Sequence, residues 1–183
     1  MHIRALELRD LPNLKDFTDK VIGLNYFRLE ELQDCYRKSY SQNVMCSFVL
    51  ENDQGAIHGL RLAYPPGTWS KGKGSKLRPD LWKVPLERVA YFQSLFLSEE
   101  AQGAGWGPKL SEAALAGFRK LGALAVITHA WKESPNNSSI RYLTKFGFNS
   151  VATHPEYWIE IDYECVLDGN PCRCTAEEMI KYL

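Results

Sequence analysis

Apolar positions along this chain recur with two periods, and the change from one to the other marks out the elements. Leu11, Leu14, Phe17, Val21 and Ile22 return every three or four residues, which lays one stripe along a helix over 11–22, and Gly23 follows as a stop. Residues 28–40 carry a second helical pattern, and 2–8 suit a short strand. Val44-Met-Cys-Ser-Phe-Val-Leu50 and Ile57-His-Gly-Leu-Arg-Leu-Ala-Tyr64 flank Asn52-Asp-Gln-Gly55, so two strand-like runs around turn residues predict a hairpin. Val89-Ala-Tyr-Phe-Gln-Ser-Leu-Phe-Leu97 is the strongest strand signal. A helix over 108–121 follows, with Leu110, Ala114, Phe118 and Leu121 on one stripe. Then come a buried strand over 123–130, a helix over 140–146 ended by Gly147, strands near 149–153 and 157–167, and a short terminal helix over 175–183.

Hairpin-joined strands come first, and a single strand–helix–strand unit sits in the middle. That order predicts an α+β fold with a mixed, largely antiparallel central sheet flanked by helices, not a doubly wound parallel one. Residues 65–88, with Pro65, Pro66, Gly67, Gly72, Gly74, Pro79 and Pro85 among basic residues and tryptophans, form an insertion of the length that usually serves function. The chain is expected to be one domain over 1–183, with that insertion and a short tail from about 168 to 183.

Composition narrows the classes. Of 183 residues, 45 % are hydrophobic, enough for a real core, and the formal net charge is zero, which argues against duplex DNA or an anionic membrane as the main partner. The charged first ten residues contain no signal-peptide core, and no run of apolar residues is long enough to span a bilayer. Five cysteines in no framework spacing point to a reduced, cytoplasmic setting. Cys172-Arg-Cys174 looks like half a metal site, but no CxxC or histidine pair completes it, so no metal is expected.

The densest chemical signal is Ala101-Gln-Gly-Ala-Gly-Trp-Gly-Pro-Lys-Leu110. A dinucleotide fingerprint needs G-x-G-x-x-G straight after a strand. Here position 108 is proline, and Ser98 to Gln102 separate strand from loop. The near-match to an ATP loop at Gly67–Gly74 lacks the final hydroxyl residue. What remains is a set of backbone N–H groups at a helix start, with Pro108 suited to the first turn, and such a nest binds phosphate without lysine. The same glycines also suit a loop that merely lets strand and helix pack closely.

These residues resemble the GCN5-related N-acetyltransferase superfamily. Its central motif is a strand, then Gln or Arg, two variable residues, Gly, one variable residue, and Gly or Ala opening a helix. Gln102-Gly-Ala-Gly105-Trp-Gly107 fits it after Ser94–Leu97, and a second block, an Asn before a short helix ending in Gly-Phe, is matched by Asn136 and Lys145-Phe-Gly-Phe148. The resemblance implies acetyl-CoA, or another acyl-CoA, as co-substrate and direct transfer to an amine without a metal. It implies that Leu95, Phe96 and Leu97 pair with the pantetheine arm. The backbone of Gln102, Gly103, Ala104, Gly105, Trp106 and Gly107 would hold the pyrophosphate, with Asn136 contacting the pantetheine or the sulfur end.

The chain departs from the family where the proton chemistry sits. A common base position is Gln93, which cannot take a proton, and the common tyrosine acid position is Leu143, with Tyr142 one residue earlier. A register irregularity would bring Tyr142 into place. His129 is the other catalytic candidate, able to titrate near neutrality, although it equally suits a structural role. Glu160 and Asp162 would share a face of the 157–167 strand, bordering an acceptor or facing solvent. Lys71, Lys73, Lys76 and Arg78 in the insertion suit a lid or an acidic acceptor, and with the nearby tryptophans a single-stranded nucleic acid, but at zero net charge a solvated loop is favoured. The expectation is therefore an N-acetyltransferase, with a non-catalytic acyl-CoA-binding sensor or assembly module as the alternative. Its acceptor is a small-molecule or peptide amine, and a homodimer is open.

Overall fold

The computed structural model describes residues 1–70 and 76–183. Seven strands form one sheet in the order β1-β4-β5-β6-β7-β9-β8, with β1 at His2–Ala5, β4 at Phe48–Glu51, β5 at Ile57–Tyr64, β6 at Val89–Leu97, β7 at Ala125–Trp131, β8 at Asn149–His154 and β9 at Ala176–Tyr182. Every pairing is antiparallel except β6 with β7. This is the mixed sheet that the element order predicts. A small separate hairpin joins β2 (Tyr40–Ser41) to β3 (Val44–Met45).

Strand alternation divides the core between two faces. On β5, Leu60, Leu62 and Tyr64 point to the face covered by α1 (Leu11–Val21) and α2 (Leu29–Lys38), where Leu14, Phe17 and Leu32 are buried. Ala63 on the same strand points to the other face, against Ala114, Leu115 and Phe118 of α3 (Trp106–Lys120) and Leu143 of α4 (Ser138–Lys145). Gly59 is required where β5 passes beneath α3. A β-carbon there would lie 2.7 Å from Leu97 Cδ2, 3.1 Å from Leu50 Cβ and 3.3 Å from Leu110 Cδ1.

Two expectations near the C-terminus fail together. The terminal helix over 175–183 is instead β9, an internal strand between β7 and β8, and 157–167 contains no strand. Glu160 and Asp162 consequently share no strand face and are both exposed. The Glu and Met of the last segment favour a helix locally, but a buried slot in the sheet overrides that preference.

The described part of the insertion is also more anchored than a solvated loop. Trp82 is completely buried, and the Trp69 indole donates to Val89 O at 2.9 Å. Glu178 of β9, itself fully buried, accepts from the Trp82 indole, from Arg78 N at 3.0 Å and from His154 Nε2 at 2.7 Å. Arg78 pairs with Asp80, and Lys76 Nζ donates to Glu156 O. Lys71 and Lys73 lie outside the described residues.

Candidate active site

β6 and β7 run together only through Val89–Phe92 and Ala125–Thr128. Gln93 then bulges out of register, since Leu62 faces Ser94 while Ala63 faces Phe92. Beyond the bulge β6 stays with β5 as far as Leu97, while β7 stays with β9. The two parallel strands therefore splay, and the β7-facing edge of Leu95, Phe96 and Leu97 borders a wedge. A cleft of about 1400 Å³ passes through it.

One wall of the cleft is the glycine loop. Glu99–Ala101 forms a single 3-10 turn, and Gln102 N donates back to Ser98 O and Glu99 O, so that amide is spent inside the loop; its side chain donates to Leu97 O. Gly103 and Gly105 adopt left-handed φ of +74° and +78°, and a β-carbon on either would meet open space. Helix geometry leaves the amides of the first α3 turn without intrahelical acceptors, and Pro108 has none to leave. Trp106 packs under Lys109, 4.4 Å from its ring centre.

The opposite wall starts α4. Asn136 and Asn137 both sit at φ +53°, tolerable for asparagine, in a turn closed by Asn137 N donating to Ser134 O at 2.7 Å. Leu143 is buried in the core, as its neighbours on α4 dictate. Tyr142 reaches α3 from within an unbroken helix, without a register irregularity. Its hydroxyl lies 2.7 Å from Ser111 Oγ and donates to Gly107 O at 3.2 Å.

Behind Tyr142 is a group that sequence reasoning passed over. Arg61 is buried, lies 4.1 Å over the Phe92 ring, and donates to Ser111 Oγ through Nε and Nη2. Burial pushes its guanidinium down to about 10, against the opposing pull of Tyr142. Arg61 donates to Ser111, whose hydroxyl proton is then free to point at Tyr142. The only sequence signal is one arginine inside the apolar run Leu60-Arg61-Leu62.

His129, at the end of β7, sits deeper. Its Nε2 faces Lys76 O at 3.1 Å, and a carbonyl can only accept, so Nε2 carries the proton. Nδ1 thus accepts from the Tyr91 hydroxyl at 3.1 Å, and the ring stacks on Tyr157, 4.3 Å between centres. Burial pushes the phenols of both tyrosines up, and they bond each other. The same cleft continues past Tyr157, Trp158 and Tyr26 to the α2 carboxylates Glu30, Glu31 and Asp34, a second set missed from sequence.

The description "Acetyltransferase (GNAT) family" matches residues 25–148, more than half of the chain. The chain belongs to the GNAT acetyltransferase family. No curated protein matches it by sequence. Among solved structures with the GNAT fold, Naa20 of Chaetomium thermophilum, in complex with a bisubstrate analogue, is 20 % identical with a TM-score of 0.71, covering 100 % of this chain and 87 % of its own. The ribosomal-protein-alanine N-acetyltransferase of Brucella melitensis is 18 % identical, TM-score 0.68, covering both chains fully at 100 %. The protein yncA of Salmonella typhimurium, solved with its cofactor acetyl-CoA, is also 18 % identical, TM-score 0.68, covering 100 % and 94 %. As an acyltransferase of this family, the chain has its glycine loop and splayed strands inside the matched region. Among the described residues, no helix is long and apolar enough to cross a membrane.

Proposed function

We propose that the chain transfers the acetyl group of acetyl-CoA directly to a primary amine on a small molecule or peptide. The observation that carries this reading is one continuous cleft that joins the β6/β7 wedge and the glycine loop to an aromatic, acid-rimmed pocket. The cradle fits the co-substrate, because the space a β-carbon would take at Gly103 and Gly105 is open.

The amides of Gly103, Ala104, Gly105, Trp106 and Gly107 hold the pyrophosphate, with the α3 dipole adding partial positive charge. The free edge of Leu95–Leu97 pairs with the pantetheine arm as a further strand would, and Asn136 flanks it. Gln102 contributes by shaping the loop, since its amide is already bonded. Bound acetyl-CoA supplies the thioester carbon that the amine attacks, with the C–N bond forming as the C–S bond breaks.

Glu30 and Glu31 draw a protonated amine toward the pocket, while Asp34 beside them pairs with Lys38. His129 Nδ1 takes its proton through Tyr91 and Tyr157, whose raised phenols pass protons on without holding a charge. Tyr142 gives its proton to the departing sulfur, Ser111, backed by Arg61, meets the charge left on its oxygen, and the second proton lost by the nitrogen as the amide forms restores the phenol. Free-thiol release from acetyl-CoA over a panel of amines and short peptides, with mass analysis of the product, tests the reading. An acetylated amine is the expected product; tight acetyl-CoA binding with no thiol release from any amine would favour the non-catalytic module.

A further inference from the structure

The segment between β8 and β9 forms one wall of the cleft, with Trp158, Ile161, Tyr163, Cys165 and Val166 lining it, yet residues 155–175 contain neither helix nor strand. Something other than a backbone ladder must hold it. At its heart three cysteines that are distant from any framework spacing meet: Cys165, Cys172 and Cys174 are each buried, inside a cage of Trp131, Trp158 and Tyr163.

We propose that Cys165, Cys172, Cys174 and Asp168 form a structural zinc site. Their four donor atoms all lie within 4.8 Å of one another. A tetrahedral zinc with thiolates at ~2.3 Å sets its sulfurs ~3.8 Å apart and a carboxylate oxygen ~3.5 Å from a sulfur. Cys165 Sγ lies 3.7 Å from Cys174 Sγ, and Cys174 Sγ lies 3.3 Å from Asp168 Oδ2. A separation of 3.7 Å is far outside a disulfide's, while it matches two ligands of one cation.

The surroundings supply hydrogen-bond donors to these ligands. The Trp131 indole N–H is buried with no full hydrogen bond among the described residues, and it stands beside the Cys174 sulfur. Tyr163 donates its hydroxyl to Cys172 Sγ at 3.3 Å, and Arg173 N donates to Asp168 Oδ2 at 3.0 Å. Such outer donors orient ligands and offset the negative charge that three thiolates and a carboxylate carry. The turn itself is prepared: Cys165 and Gly169 exchange both backbone bonds, at 3.0 and 2.9 Å, which puts Cys165 and Asp168 on one side. Thiolate-rich sets select zinc over harder cations. The half-site Cys172-Arg-Cys174 is thus completed by residues six and nine positions before Cys174, a spacing that no common motif announces.

The other cluster of this kind, His129, His154 and Glu178, carries no such assignment. Both Glu178 oxygens accept from N–H donors, and His129 Nε2 gives its proton to Lys76 O.

The zinc site does not depend on the acetyl-transfer reading, and it can be tested without an activity assay. The chain is loaded with zinc under reducing conditions, desalted and analysed for metal, then reloaded with cobalt(II) for absorption spectroscopy. About one zinc per chain is expected, with thiolate-to-cobalt charge-transfer bands and strong tetrahedral ligand-field bands. Asp168→Asn, on an exposed residue, should weaken zinc binding at least ~10-fold. Cys172→Ser should abolish it, and Cys46→Ser, beneath α3, should leave it unchanged. If the Cys172 variant does not fold, the cobalt spectrum of the unmodified chain decides. Trace zinc after loading with no thiolate bands overturns the proposal, as does a mass spectrum showing Cys165 and Cys174 joined in a disulfide in the zinc-treated chain.

Discussion

Replacing Gly105 by alanine tests where the pyrophosphate rests. Gly105 precedes α3 at φ +78°, and its β-carbon would meet no protein atom within 4 Å. The cost to the fold is therefore confined to a left-handed non-glycine backbone, about 1–2 kcal/mol. In a chain of this size that lowers Tm by roughly 2–8 °C. Binding should suffer separately, because the methyl group would occupy the space assigned to phosphate. Losing one charge-assisted hydrogen bond, at about 1.5–3 kcal/mol, weakens acetyl-CoA about 10- to 100-fold. For the cost to the fold, Gly107→Ala is the comparison: its β-carbon would sit in ordinary contact, 3.4 Å from Leu95 Cδ2 and 3.7 Å from Tyr142 Cε2. At a helical position it should gain up to ~1 kcal/mol. Calorimetric titration with acetyl-CoA and with S-acetylpantetheine, which lacks the pyrophosphate, reads the difference. Gly105→Ala should lose affinity for the first and keep it for the second. Undiminished acetyl-CoA affinity, or equal losses for both, would refute the placement.

Further outcomes follow from the rest of the molecule. Tyr142→Phe should lower kcat about 100-fold or more while leaving acetyl-CoA affinity nearly unchanged; an unchanged kcat in steady-state assays would remove Tyr142 from the chemistry. Gly59→Ala should cost about 1–3 kcal/mol by overpacking against Leu50 and Leu110, seen as a lower Tm by calorimetry. Burial alone would raise Asp10, but its paired bonds with Arg4 and the Glu7 N–H override this and hold it below the ordinary 3.8, while Arg4 holds Glu51 below 4.5. Folded values below unfolded ones mean stability that is present above those ordinary values and lost as pH falls through the folded ones. Tm should accordingly drop in acid, and Asp10→Asn should flatten that drop. Glu178→Gln turns an amide group toward the donors of Trp82, Arg78 and His154, at a cost of about 1–3 kcal/mol in denaturant melts.

Much of the architecture was legible because the relevant signals are local. The run Val89–Leu97, the helix stripe Leu110, Ala114 and Phe118, and the glycines after Gln102 each carry their meaning within a few residues. What escaped depends on partners far away in the chain. Ala176–Tyr182 looks helical until β7 and β8 enclose it, and Tyr157–Tyr163 alternates like a strand although its large side chains line the cleft. Arg61 gains its meaning only from Ser111, fifty positions later, and Cys165 only from folding onto Cys174. The proton candidates fell between these cases: Tyr142 and His129 stood out as residue types, but their hydrogen-bond directions come from Gly107 and Lys76.

The internal place of β9 also has a bearing on how the chain is made. Of the seven strands, β9 is synthesised last, yet its slot lies between two strands made earlier. Until those residues leave the ribosome, β7 presents an unpaired edge of mostly apolar residues, the kind of surface that recruits other chains. Trp82 meanwhile lacks its carboxylate acceptor. The nascent protein is therefore most exposed to misassembly in the interval before its final strand inserts, and a chaperone that shields β7 during that interval would raise the yield of folded enzyme.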